Sequence, residues 1–227
     1  MARCIFRGSL ADEIVPSIVP CSTMGTGTPR SHLNGGWSLS KDKCYILDAG
    51  LARYVASRMS STATIVDLGA GLGCYTQYMR HHGANVTIAL DFAVDVDVRT
   101  DHVVTRWDLS VPYPFPLRPD WSFIVEVAEH IPSALMAGFM QNVAAARCGA
   151  LLSWARPGQG GSGHVNERNA TYVTHLMQGR GLSLHHNYTL SLRHHATLSY
   201  IKRNVAAYVR DPFPLDCRWK TQAGEIS

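Results

Sequence analysis

The stretch FIVEVAEHIP places Glu126, Glu129 and His130 within five residues at the end of an apolar run. A second polar group follows in WARPGQGGSGHVNER, where Gly158, Gly160, Gly161 and Gly163 lead into His164, Asn166 and Glu167. Side chains of these types move protons, or ligate a divalent cation through mixed oxygen and nitrogen donors. Glu126 and Glu129 share a face if the chain turns helically beyond Val127. Glu129, His130 and His164 are therefore the candidate catalytic set. A blander reading competes with it, in which the carboxylates only complement the dipole of a helix start.

A third feature is VDLGAGLGCYT, in which Gly69, Gly71 and Gly73 follow an apolar, β-branched run and Asp67 lies two residues ahead. Glycines let the backbone turn tightly and let a ligand approach main-chain N–H groups at a helix start. The dinucleotide fingerprint needs its third glycine one residue later, where this chain has Cys74, which argues against a nicotinamide or flavin cofactor. The next apolar run, ANVTIALD, ends at Asp91 and is followed by Phe92. A carboxylate there can accept hydrogen bonds from both ribose hydroxyls of a nucleotide.

The Asp-x-Gly-x-Gly-x-Gly form resembles motif I of class I S-adenosylmethionine-dependent methyltransferases, and the resemblance spans about residues 40 to 210. It implies a seven-stranded sheet with an antiparallel hairpin at one edge, NVAAYVR being the last strand. It also implies that Asp67, Gly69, Gly71 and Gly73 hold the methionine end of the cofactor, and that Asp91 and Phe92 border the ribose. Asp108 would face the adenine amino group with Leu109 against the ring, and Glu126 would end the fourth strand at the cofactor edge. Glu-x-x-Glu-His with a later His is similar to the metal set of small-RNA 2′-O-methyltransferases. It is similar also to a strand end of ubiquinone-pathway O-methyltransferases. By that similarity Glu126, Glu129, His130 and His164 would hold a divalent ion such as Mg²⁺. The same local pattern occurs in methyltransferases without a metal, where the Glu and His shape the substrate pocket. The loop PGQGGSGHVNE resembles that of a group of bacterial and algal methyltransferases and supplies no substrate.

These residues need elements to position them. Strand-like runs at ATIVDL, ANVTIALD, HVVTRWDL, WSFIVEV and ALLSWA alternate with helical segments, which predicts an α/β fold: a doubly wound, mostly parallel sheet with helices on both faces. Ile46, Leu47, Leu51, Tyr54, Val55 and Met59 fall at helical spacing, Ser133 is placed to cap a helix through Arg147, and a further helix runs from Asn169 to Gln178. Residues 1–38 read as an irregular segment or lid, in which Trp37 is a candidate closing residue, and 39–227 as the methyltransferase domain.

Of 227 residues, 46% are hydrophobic and 17% charged, which suits a folded core; the net charge of +4 forms no basic stripe. No apolar run is long enough for a membrane span and no basic-then-apolar leader is visible. The six scattered cysteines argue against a disulfide framework and suit a reducing compartment, so a cytoplasmic protein, monomeric or homodimeric, is expected. The expected activity is methyl transfer from S-adenosylmethionine to an O, N or S nucleophile of a small molecule. An RNA or protein methyltransferase and an inactive binding protein on the same fold are the alternatives.

Overall fold

A computed structural model of the chain describes residues 3–7 and 44–220. The predicted N-terminal lid, Trp37 and the domain boundary near residue 38 lie outside the described residues. The elements are β1 (Arg3–Arg7), β2 (Cys44–Asp48), α1 (Ala49–Arg58), β3 (Thr64–Leu68), α2 (Cys74–His81), β4 (Asn85–Asp91), α3 (Val96–Arg99), β5 (Thr105–Arg106) and β6 (Trp121–Ile124). Two 3-10 turns, Ala128–His130 and Ser133–Leu135, lead to α4 (Met136–Val143) and β7 (Gly149–Leu152). Then come α5 (Ala170–Gln178), β8 (Leu182–Leu184), α6 (His186–His195), α7 (Ser199–Asn204) and β9 (Ala206–Arg210). β1 and β2 form a separate parallel pair; the main sheet has seven strands in the order β5-β4-β3-β6-β7-β9-β8. β9 runs antiparallel to both its neighbours, while the pairings among β3 to β7 are parallel.

β6 (WSFI) and β7 (GALL) are buried at every position, as central strands covered on both faces must be. One face packs Leu51, Val55, Met79, Leu192 and Trp219 against Phe123, and the other packs Phe139, Met140, Val173 and Met177 against Ile124 and Leu152. A smaller cluster of Ala70, Leu72, Val96 and Val104 lies under the glycine loop.

Three expectations are corrected. The helical pattern from Ile46 starts late, because residues 44–48 pair with β1 and α1 begins only at Ala49. Its N-cap is Asp48, whose fully buried carboxylate accepts from Leu51 N and also from Thr197 N and Leu198 N, so one side chain ties α1 to the α6–α7 junction. Ser133 caps no helix; its hydroxyl donates to Asn166 Oδ1, and α4 ends at Val143. Finally, Cys148 and Cys217 form a disulfide, contrary to the expectation of reduced thiols. The pair is separated by 69 residues, so no short spacing announces it. It fastens the C-terminal segment where Trp219 stacks on Tyr188 with ring centroids 4.0 Å apart. Among the described residues no helix is long and apolar enough to cross a membrane.

Candidate active site

The loop after β3 is built from backbone that only glycine adopts readily: φ is +82° at Gly69, +55° at Gly71 and +73° at Gly73. A Cβ on Gly69 would fall 2.3 Å from Val127 Cγ2, so the loop and the segment after β6 meet there without room for a side chain. Gly69 N and Ala70 N both donate to the Leu90 carbonyl. Gly71 N donates to Asp91 Oδ2 and Ala93 N to Asp91 Oδ1, each at 2.8 Å. Asp91 thus holds the glycine loop and the turn after β4 together. Burial raises its pKa, and those backbone N–H groups oppose the rise.

Asp67 lies differently from the sequence expectation. Its carboxyl is 3% exposed and accepts a 2.6 Å hydrogen bond from Thr76 Oγ1, bracing β3 against α2. Burial pushes its pKa from 3.8 to about 7. A raised carboxyl pKa means that the folded chain keeps a proton the unfolded chain has released. The stabilising contribution is therefore complete below about pH 3.8 and is lost as pH climbs toward 7. Asp67→Asn is expected to flatten that decline, as read from denaturant melts at several pH values; an unchanged pH dependence would refute this account.

At the adenine edge expected from sequence, Asp108 Oδ1 accepts from the Ser110 amide and hydroxyl. Leu109 is a core residue, 4% exposed and packed beside Ile124 and Phe139, so it offers no open face to a ring. Half-buried Phe92 follows Asp91 with the Arg106 guanidinium 5.5 Å from its ring centre. Sequence reasoning missed the aromatic run here: Trp107 meets Tyr113 edge-on at 5.0 Å, and Tyr113 meets Phe115 at 4.9 Å.

Beyond β6 the two glutamates diverge. Glu126 sits at φ +55°, an unusual backbone for a residue with a Cβ. Ser153 Oγ accepts from its amide and donates to its Oε1, and Gln159 Nε2 donates to its Oε2. Both carboxylate oxygens of Glu126 thus accept hydrogen bonds, and the potential ligand atoms that gather within 4.8 Å belong to Glu129, His130 and His164. Glu129 is fully buried, and neither of its carboxylate oxygens has a partner in ordinary hydrogen-bond geometry, with the Ala155 backbone and the Glu126 carboxyl nearby. Burial, and next the charge of Glu126, push its pKa well above the ordinary carboxylate range.

The histidines complete the cluster. Potential ligand atoms of Glu129, His130 and His164 all lie within 4.8 Å of one another. His164 Nε2 is 4.0 Å from Glu129 Oε1. His130 Nδ1 contacts the Gly163 carbonyl at 3.1 Å; a carbonyl only accepts, so Nδ1 carries the proton and Nε2 the lone pair. His164 Nδ1 likewise donates to Glu167 Oε1 at 2.9 Å, which again leaves the lone pair on Nε2. Glu167 also accepts from Gly158 N and Gly160 N; these hydrogen bonds, the one from His164 foremost, lower its pKa. A Cβ on Gly161 would fall 2.2 Å from His164 Nε2, so any side chain there would push the His164 ring from its place.

One buried residue bolts this loop down. Asn166 donates to the Ile131 carbonyl and accepts from Ser133 Oγ and Arg168 Nε, while its own carbonyl accepts from Trp154 Nε1. Val165 N and Asn166 N both donate to the Glu129 carbonyl. The loop after β7 is thereby fixed to the segment after β6, which brings His164 to Glu129. Asn166 and Glu167 stood beside His164 in the sequence, but nothing there assigned them these partners.

The strand order, with a single antiparallel strand next to last at one edge, is the fold of class I S-adenosylmethionine-dependent methyltransferases. Among solved structures, the chain is similar to a magnesium protoporphyrin IX methyltransferase of Synechocystis with bound S-adenosylhomocysteine. That match has a TM-score of 0.54 and 14% identity, covering 72% of this chain and 80% of the other. A TehB-like SAM-dependent methyltransferase of Corynebacterium glutamicum matches with a TM-score of 0.54 and 16% identity, covering 71% of this chain and 86% of the other. No protein-family model and no curated protein sequence matches the chain.

Proposed function

We propose that the chain transfers a methyl group from S-adenosylmethionine to a nucleophile of a small molecule. The observation that carries this is the glycine loop at the carboxyl edge of β3, pinned through Gly71 N to Asp91 at the end of β4. In an open α/β sheet, ligands sit outside these strand ends. In this reading the glycines leave the backbone open to the methionine end, Asp91 meets the ribose, and Asp108 and the neighbouring aromatics border the adenine. Asp67 acts from behind, through the β3–α2 packing. The fold shared with enzymes such as the magnesium protoporphyrin methyltransferase supports the activity, and the burial of Glu129 between two half-buried histidines supports a small acceptor over a polymer.

Glu129, His130 and His164 would activate the acceptor. The buried Glu129 carboxylate, with potential ligand atoms of His130 and His164 within 4.8 Å, fits a divalent cation. Such an ion, when bound, supplies a lowered pKa for a substrate hydroxyl. Direct base catalysis by His130 is the weaker reading, because burial holds its pKa at about 4, too low for an efficient base near neutrality. Calorimetric titration with S-adenosylhomocysteine tests the cofactor assignment, and absence of binding by the wild-type chain overturns it.

A further inference from the structure

Behind the loop that carries His164, a cavity of about 50 Å³ is lined by Arg156, Arg168, Arg193, Thr174, Asn204 and Tyr208, with apolar walls from β7, β9 and α5. Its lining holds three guanidinium groups and no carboxylate. Among the described residues, none of the three arginines forms an ion pair. Their contacts are to neutral acceptors: Arg193 Nε donates to the Val205 carbonyl, an Arg156 Nη to the Arg203 carbonyl, and Arg168 to Asn166 Oδ1 and Ser133 Oγ. Both Nη groups of Arg193 are unclaimed by any acceptor among the described residues.

Gathering like charges around one cavity is unfavourable unless something of opposite sign enters it. At Arg193, burial, and then the charge of Arg156, hold the guanidinium pKa below its ordinary value. The available space exceeds that needed for a single water and suits one small polar group. Guanidinium forks match the oxygen geometry of phosphate, and the Tyr208 and Thr174 hydroxyls add rotatable donors.

We propose that this cavity is a phosphate-binding site, filled by inorganic phosphate or by the phosphate of a monoester. Arg156 and Arg168 stand at the two ends of the loop bearing Gln159, His164 and Glu167, whose base is closed by Arg168 N donating to the Ala155 carbonyl. A bound phosphate would therefore clamp both ends of the loop that presents His164 to Glu129.

The test is calorimetric titration of the intact protein with inorganic phosphate and, separately, with methyl phosphate, at fixed ionic strength and without methyl donor or added metal. A failure here is therefore distinct from a failure of the cofactor assignment. Saturable binding is expected, weakened about tenfold or more in both Arg156→Gln and Arg193→Gln and unchanged in Arg118→Gln, whose side chain lies away from the cavity on the Ala145 carbonyl. Binding of both probes would identify a monoester group as a fitting ligand; binding of inorganic phosphate alone would identify the free anion. Hydrogen exchange of residues 156–168 should slow in phosphate. Arg156 is exposed, so its variant tests the site even if Arg193→Gln folds poorly. No saturable binding of either probe, or equal binding by wild type and both variants, overturns the proposal.

Discussion

Asp91→Ala is expected to weaken S-adenosylhomocysteine binding by about 100-fold or more while leaving the chain folded. The carboxylate serves two structural donors, Gly71 N and Ala93 N, and on the proposed reading also the ribose hydroxyls. Hydrogen bonds to a charged group contribute about 1.5–3 kcal/mol each, so losing two in the complex already reaches this range. Losing the anchor also lets the glycine loop relax, and the cofactor must then reorder it on binding. Asp91→Asn separates the two effects. Its amide oxygen can still accept one backbone N–H, but its NH₂ opposes the other donor, so an intermediate affinity is expected. Calorimetry measures both variants, with circular dichroism to confirm folding. Binding by Asp91→Ala within about threefold of wild type would remove Asp91 from the cofactor site.

Glu129→Met is expected to lower methyl transfer by at least about 100-fold and to raise stability at alkaline pH. The two effects share one cause. The carboxylate is fully buried with neither oxygen in ordinary hydrogen-bond geometry and the Glu126 carboxyl beside it, an arrangement that folding disfavours. Because burial and Glu126 raise its pKa, the folded chain retains a proton that the unfolded chain loses above about 4.5. The wild type is therefore progressively destabilised as pH rises from that value, and the methionine variant escapes this decline. Methionine has similar volume and no charge, so a gain of about 1–3 kcal/mol is expected at pH 8. Thermal melts across pH, turnover assays and S-adenosylhomocysteine titration distinguish the outcomes. A variant that binds the cofactor analogue, melts higher and turns over poorly fits a functional carboxylate. A variant that melts lower at every pH means that Glu129 has a structural partner, which would sink this prediction.

Much of the fold around this candidate site was legible in the chain. Three glycines in VDLGAGLG, directly after an apolar run, can only mark a tight strand-to-helix turn, and the structure shows all three at positive φ. WSFI and ALL read as buried strands because every side chain is apolar or small, and both lie in the middle of the sheet. NVAAYVR was expected to be the last strand in the chain, and β9 is that strand, antiparallel between β7 and β8. The two-residue β5 was harder to see, since HVVTRWDL contains as many polar as apolar positions and only Thr105 and Arg106 pair with β4.

What composition and spacing determined is where the candidate residues lie: a glycine loop after β3, an acid at the end of β4, and a Glu-x-x-Glu-His run after β6. These follow from local rules, because strand period, glycine conformation and loop position are encoded within a few residues. Which way each polar side chain faces was decided only by the tertiary structure. A single left-handed residue, Glu126, turns its carboxylate to Ser153 and Gln159 while that of Glu129 has no partner in ordinary hydrogen-bond geometry. Asp67 turns to Thr76 on α2. His164 reaches Glu129 only because Asn166 and Glu167 hold a loop from 33 residues downstream of Ser133 and its neighbours. Cys148 and Cys217, and the three arginines of the phosphate cavity, are likewise assembled from distant segments. Such contacts depend on the relative placement of packed elements, and no spacing within one segment carries that information.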